Sequence, residues 1–168
     1  MALFGRRERP PAELVGRLSR DERVLSWADT SDGEAVLATP RGVWWPSPDG
    51  PRRIPWQHID KAVWRDNLLT LIEAEVVDDL LLVDKAPVSV TLTKPRDLPS
   101  TIRKRVEANI LRSELLAIAG GAVRFVARRQ AGRDGVTWWA RIEPGTDDSE
   151  TVRAAVRARL AILRVGEG

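Results

Sequence analysis

The chain has no cysteine, which removes disulfides, thiolate nucleophiles and thiolate metal sites together. Its only histidine is His58, so a histidine-rich metal site is excluded, and a catalytic triad would have to take its base from that one residue. His58 stands between Trp56 and Ile59 in what reads as a turn, the setting of a structural or solvent-facing imidazole. No apolar run approaches the roughly 18 residues of a membrane span. Ala2-Leu3-Phe4 is too short for the core of a signal peptide, and Arg6-Arg7 is no export signal without that core. The phosphate-cradling patterns GxGxxG and GxxxxGK followed by Ser or Thr are missing, as is GxSxG, so nucleotide and hydrolase readings lack a foothold. Net charge is only +3, which points away from a wholesale electrostatic mode on nucleic acid or membrane. These absences predict a soluble cytoplasmic protein with no cofactor and no metal. Residues 1–9 place three apolar positions beside Arg6, Arg7 and Arg9 and read as a frayed terminus in preference to a membrane-surface anchor.

What is present is β-rich and strongly punctuated. With 168 residues the chain has room for one domain plus an appendage, and 43% hydrophobic against 30% charged residues confines disorder to the ends. Between Ala35 and Ile72, Leu-Ala-Thr-Pro-Arg-Gly-Val-Trp-Trp (37–45) is followed by Arg-Arg-Ile-Pro-Trp-Gln-His-Ile (52–59) and Lys-Ala-Val-Trp-Arg (61–65). Pro40 and Gly42 fold 35–39 back onto 43–46, Pro46 to Pro51 make a wider turn, and Asp66-Asn67 make a further one. The spacing predicts a helix start at Pro10-Pro11 and strands over 23–30, 67–76, 80–83 and 88–93. After Pro95 to Pro99, with Asp97 or Ser100 as cap, Ile102, Val106 and Ile110 and then Leu111, Leu115 and Ile118 predict one helix ended by Gly120-Gly121.

A strand carrying Leu-Ala-Thr, a turn, a strand ending in aromatics, and Arg-Ile-Pro-Trp with Ile59 and Trp64 after it resemble the bacterial pleckstrin-homology-like domains, in particular those of high-GC bacteria. The resemblance covers about residues 12–116. It implies a bent antiparallel sheet or partly open barrel capped by one helix, an α+β fold, and no common catalytic activity. Eukaryotic pleckstrin-homology domains hold phosphoinositides on a basic first loop; here that loop is Asp29 to Glu34, with three carboxylates that would repel phosphate.

The expected organisation is a flexible tail (1–11), a pleckstrin-homology-like domain (12–118) and a ββα extension (122–168). In the extension, Val123, Phe125 and Ala127 share one strand face and Val136, Trp138, Ala140 and Ile142 another, with Gly132 to Gly135 turning between them. Asp147 to Glu150 suit a helix N-terminus, and Val152, Val156, Arg159, Leu160 and Leu163 mark its stripe. An isolated hairpin is marginal in water, so this unit is expected to pack on the first or on a second copy. Trp44-Trp45 and Trp138-Trp139 are adjacent pairs whose members alternation sends to opposite faces.

Three function classes follow. The first is a non-enzymatic binding or scaffolding module, for a protein partner or for self-association as a homo-oligomer, using a sheet edge, a helix groove or exposed Trp. The second binds phosphate-bearing ligands, a lipid headgroup or single-stranded nucleic acid, through an Arg/Trp surface. The residues singled out as ligand or partner surface are Arg124, Arg128, Trp139 and Arg141, with Trp44 and Trp45, and Arg103, Lys104 and Arg105 as an extension. The third, an enzyme, requires a site that no motif reveals; the acidic doublets Asp78-Asp79 and Asp147-Asp148 are accounted for by a turn and a helix N-terminus.

Overall fold

Turn chemistry shapes the first half of the chain. The computed structural model describes residues 8–130 and 134–167; the tail and membrane expectation for residues 1–7 and the turn at 131–133 lie outside the described residues. After α1 (Ala12–Val15), β1 (Ser26–Asp29), β2 (Ala35–Thr39), β3 (Gly42–Trp45) and β4 (Arg52–Pro55) form one antiparallel sheet in that spatial order. The Pro40 turn folds β2 onto β3, and a Cβ at Gly42 would run into the Ile54 carbonyl on β4. A 3-10 turn (Trp56–His58) leads into β5 (Ile59–Arg65). β6 (Leu68–Val77) returns through Asp66 and Asn67 at φ 49° and 64°, a left-handed conformation that short polar side chains tolerate. Asp78 and Asp79 repeat the device at φ 53° each, so that β7 (Leu81–Asp84) and then β8 (Val88–Thr91) run back along β6.

The two sheets meet where Thr30 bridges Leu92. Across the opening lies α2 (Leu98–Asn109), which drives Leu98, Ile102 and Val106 into a core with Val36, Val43, Trp45, Ile54 and Leu71. Asp97 occupies the N-cap position, and its carboxylate is taken by the Ser26 hydroxyl at 2.6 Å, tying the helix to β1. On the outer face of the first sheet, Leu14, Leu18, Val24 and Trp44 gather around Ala35 and Leu37. Glu22, buried beneath them, accepts from Thr39 Oγ1 (2.6 Å), Trp44 Nε1 (3.1 Å), the Ser19 amide (3.1 Å) and Arg53 Nη1 (2.8 Å). Burial alone would raise its carboxyl pKa; the four donors hold it below the ordinary value.

The expected long helix stops early. Asn109 is its last residue, Ile110 turns extended at φ −84° and ψ 108°, and β9 (Ile110–Ile118) follows as a strand. The four-residue repeat of Ile102, Val106 and Ile110 was helical only as far as the helix had a surface to cover. Beyond it the backbone groups pair with β10 (Gly121–Arg129) instead of within a helix. Asn109 Nδ2 reinforces the switch by donating to the Arg129 carbonyl at 2.6 Å. Gly120-Gly121 therefore turns a hairpin instead of ending a helix, and Ile110, expected in the core, is 38% exposed.

β10 pairs with β11 (Val136–Ile142) in the expected hairpin, Val123 opposite Ile142. α3 (Glu150–Val165) is capped by the Ser149 hydroxyl, which accepts from the Val152 amide at 3.2 Å. Its Val152, Val156 and Leu160 close a second core over Val123, Phe125, Trp138 and Leu81. Because β11 lies parallel to β7, the extension continues the body in one curled, mixed seven-stranded sheet whose path runs β5-β6-β7-β11-β10-β9, with β8 beside β6. The chain is thus α+β, a half-barrel mixed sheet with a C-terminal helix plus an antiparallel sheet. No helix among the described residues is long and apolar enough to cross a membrane.

Ile54, with no exposed surface, and Ile110 separate the strand from the expected helix. Ile54→Ala is expected to cost about 2 to 5 kcal/mol in urea unfolding and Ile110→Ala well under half of that. Equal losses would contradict the strand.

Candidate functional site

β7 and β11 are neighbours on very little backbone. The register holds one pair, Ala140 opposite Leu81, and the Ala140 amide donates to the Leu80 carbonyl at 3.0 Å. Past it the strands part, leaving a groove of about 380 Å³ lined by Leu81, Val83, Asp84, Arg141, Ile142 and Pro144. Arginines complete the seam. Arg164 of α3 donates to the carbonyls of Asp79 (2.9 Å) and Trp138 (3.1 Å), spanning the two segments where the ladder is missing. Arg153 holds Asp148 and reaches Asp78. Arg141 pairs with Asp84 at 2.7 Å and lies 2.9 Å from Asp60, an ion pair without an aligned hydrogen bond.

Arg128 is the innermost of these groups, 1% exposed, with Nη1 donating to the Ile59 carbonyl at 3.1 Å and Nη2 3.6 Å from Asp60. Burial and the Arg141 cation push its pKa down and Asp60 and Asp84 push it back; guanidinium stays charged under such loads. The Nε atoms of both Arg128 and Arg141 are buried without an acceptor among the described residues. His58 lies close enough to Glu73, Lys85 and Arg128 to feel their charges, and burial holds its imidazole below the ordinary pKa and therefore neutral near pH 7.

The Arg/Trp face expected as one surface is thus divided. Arg128 is interior, because β10 lies against β5 there, and Val126 beside it is buried as well. Arg124 is part-exposed but carries Glu143 at 2.7 Å and donates to Ser113 Oγ at 3.3 Å. Trp139 is half-buried with the Arg164 guanidinium 5.2 Å from its ring. Trp45 enters the main core; Trp44 goes to the opposite face, where Glu22 takes its N–H and Arg53 sits 5.8 Å over the ring. The N-terminal segment, not the ββα extension, covers Trp44. Arg124, Arg128 and Arg141 are therefore each engaged internally. Arg103 is paired with Glu107, whereas Lys104, Arg105 and Arg129 carry no ion pair among the described residues. Arg105 and Arg129 line a cleft of about 190 Å³ with Pro40, Trp56 and Asn109, whose buried Oδ1 has no donor among the described residues.

The surface that sequence reasoning missed is β9. It ends the sheet path, is nine residues long, and has no proline, glycine or lysine. Ile110 and Leu111 are each 38% exposed and Leu115 56%. Natural edges are ordinarily shortened, charged or covered. The opposite edge, β5, follows that rule: it carries Asp60, Lys61 and Arg65, is irregular between Ile59 and Lys61, and packs against α2. The signal for β9 was present in Arg112, Glu114, Leu116 and Ile118, an alternating row that reads as one strand face. Among the described residues no cluster of side chains fit to hold a metal ion is found. No family model matches the chain, and neither a curated protein nor a solved structure is significantly similar to it.

Arg128→Met is expected to lower stability by about 1 to 3 kcal/mol, since the Ile59 carbonyl loses its donor while Asp60 keeps Arg141. Arg157→Met, which breaks the exposed pair with Glu150, is expected to change it by less than about 0.5 kcal/mol. Chemical denaturation of the two variants checks the contrast, and a neutral Arg128→Met would remove the buried arginine from the seam.

Proposed function

We propose that this chain is a non-enzymatic interaction module that offers the β9 edge to another polypeptide strand. The carrying observation is the nine-residue edge, uncovered among the described residues, with Ile110, Leu111 and Leu115 exposed. Strand addition suits it, because the edge supplies unpaired backbone groups for affinity and apolar side chains for selectivity. The half-barrel with α2 across its mouth agrees with the pleckstrin-homology-like resemblance, a family in which the fold carries binding and not a common reaction. A cytoplasmic setting belongs to the same reading. It assigns no reaction to the chain.

A second reading keeps a phosphate-bearing ligand but moves it away from the expected Arg/Trp face. Arg105 and Arg129 at the cleft beside Asn109, with Lys104 in the adjoining hollow, have no ion pair among the described residues and are the cations that favour it.

Titration with a fluorescent peptide of residues 110–118 tests the first reading. Saturable binding is expected, weakened about tenfold or more by Leu115→Lys on the protein, a change at an exposed site that leaves the melting temperature in place. Absence of both peptide binding and self-association would overturn it. The same titration with inorganic phosphate, repeated on Arg105→Glu, tests the second.

A further inference from the structure

Resting on the β9 reading, we infer that the strand paired with β9 is β9 of a second copy, antiparallel and centred on Ser113. A twofold axis normal to the sheet keeps both copies of α3 on one face, and it places side chains of like parity opposite one another. The choices along Ile-Leu-Arg-Ser-Glu-Leu-Leu-Ala-Ile are then few. Centring on Arg112 sets Arg against Arg, and centring on Glu114 sets Glu against Glu, both repulsive. Centring on Leu115 sets Arg112 against Ile118 and Glu114 against Leu116, and leaves Leu111 uncovered.

Only the Ser113 centre is self-complementary. It brings Arg112 opposite Glu114 and Leu111 opposite Leu115, each twice over, so the exposed Leu111 and Leu115 are covered, while the bulge turns Ile110 to the face away from Arg112 and leaves it at the end of the pairing. The charges fit the intramolecular pattern as well. Arg112 already reaches Glu167 and Glu114 already holds Arg159 at 2.5 Å, so pairing completes a row Glu167–Arg112–Glu114–Arg159 of alternating sign across the junction. The register shift of β9 against β10 near Leu111 falls at the end of this pairing and not at its centre. Nothing in the register requires a side chain of the core to move.

The chain has no native thiol, so one introduced cysteine reads the register directly. Directly opposite residues in antiparallel strands have Cα atoms about 4.5 to 5.5 Å apart, within the span of a disulfide. Ser113→Cys is expected to give a covalent dimer under mild oxidation. Leu115→Cys alone is expected to stay monomeric on a non-reducing gel, its partner lying about 14 Å along the strand, yet to cross-link when mixed with Leu111→Cys. A dimer from Leu115→Cys alone would overturn the register. A chain that sediments as a monomer when concentrated, with no cross-link from any of these variants, would overturn the second copy; binding of the 110–118 peptide in that case would leave the edge reading standing, and its absence would remove both.

Discussion

Arg128 reaches from β10 to the Ile59 carbonyl with almost none of its surface in solvent, and the architecture of the second half follows from that contact. A buried guanidinium is tolerated only where acceptors surround it. Those acceptors, the Ile59 carbonyl and Asp60, belong to the body, so β10 and with it the whole extension have one place to lie. Arg141, Arg153 and Arg164 then close a seam that the backbone joins through a single strand pair. The unit is not independently closed: Leu81 of β7 is part of its core.

The same seam determines which edge is left open. Once β11 takes the side of β7, the sheet grows outward through β10 and ends at β9. α3 covers one face of this addition, and the body lies against the inner part of the other. Neither reaches around the outer edge. The expected Arg/Trp surface and the actual open surface are therefore two consequences of one arrangement: charge is spent inside the joint, and apolar residues are left at its rim.

The first half was legible in the sequence because its information is local. Pro40, Asp66-Asn67 and Asp78-Asp79 mark turns whose backbone they can adopt with few alternatives, and the alternation in 88–91 marks a strand with one wet face. The β10-β11 hairpin and α3 were legible for the same reason. Ile110 to Ile118 was not, since its leucines satisfy a helical and an extended period alike, and only β10, later in the chain, decides between them. Arg128 was misplaced because strand parity gives the face of a residue but not whether that face meets solvent or another layer. Of the candidate site, Trp44 and Trp45 were correctly sent to opposite faces, while the open edge itself was hidden inside the misread helix.

Pairing of β9 in solution is most directly observed by amide hydrogen exchange along residues 110–118 as protein concentration is raised. The outward-facing amides of β9 are predicted to exchange quickly in dilute solution and slowly in concentrated solution, with β10 and β11 unchanged. Rapid exchange of those amides at every concentration would contradict a strand that joins two copies.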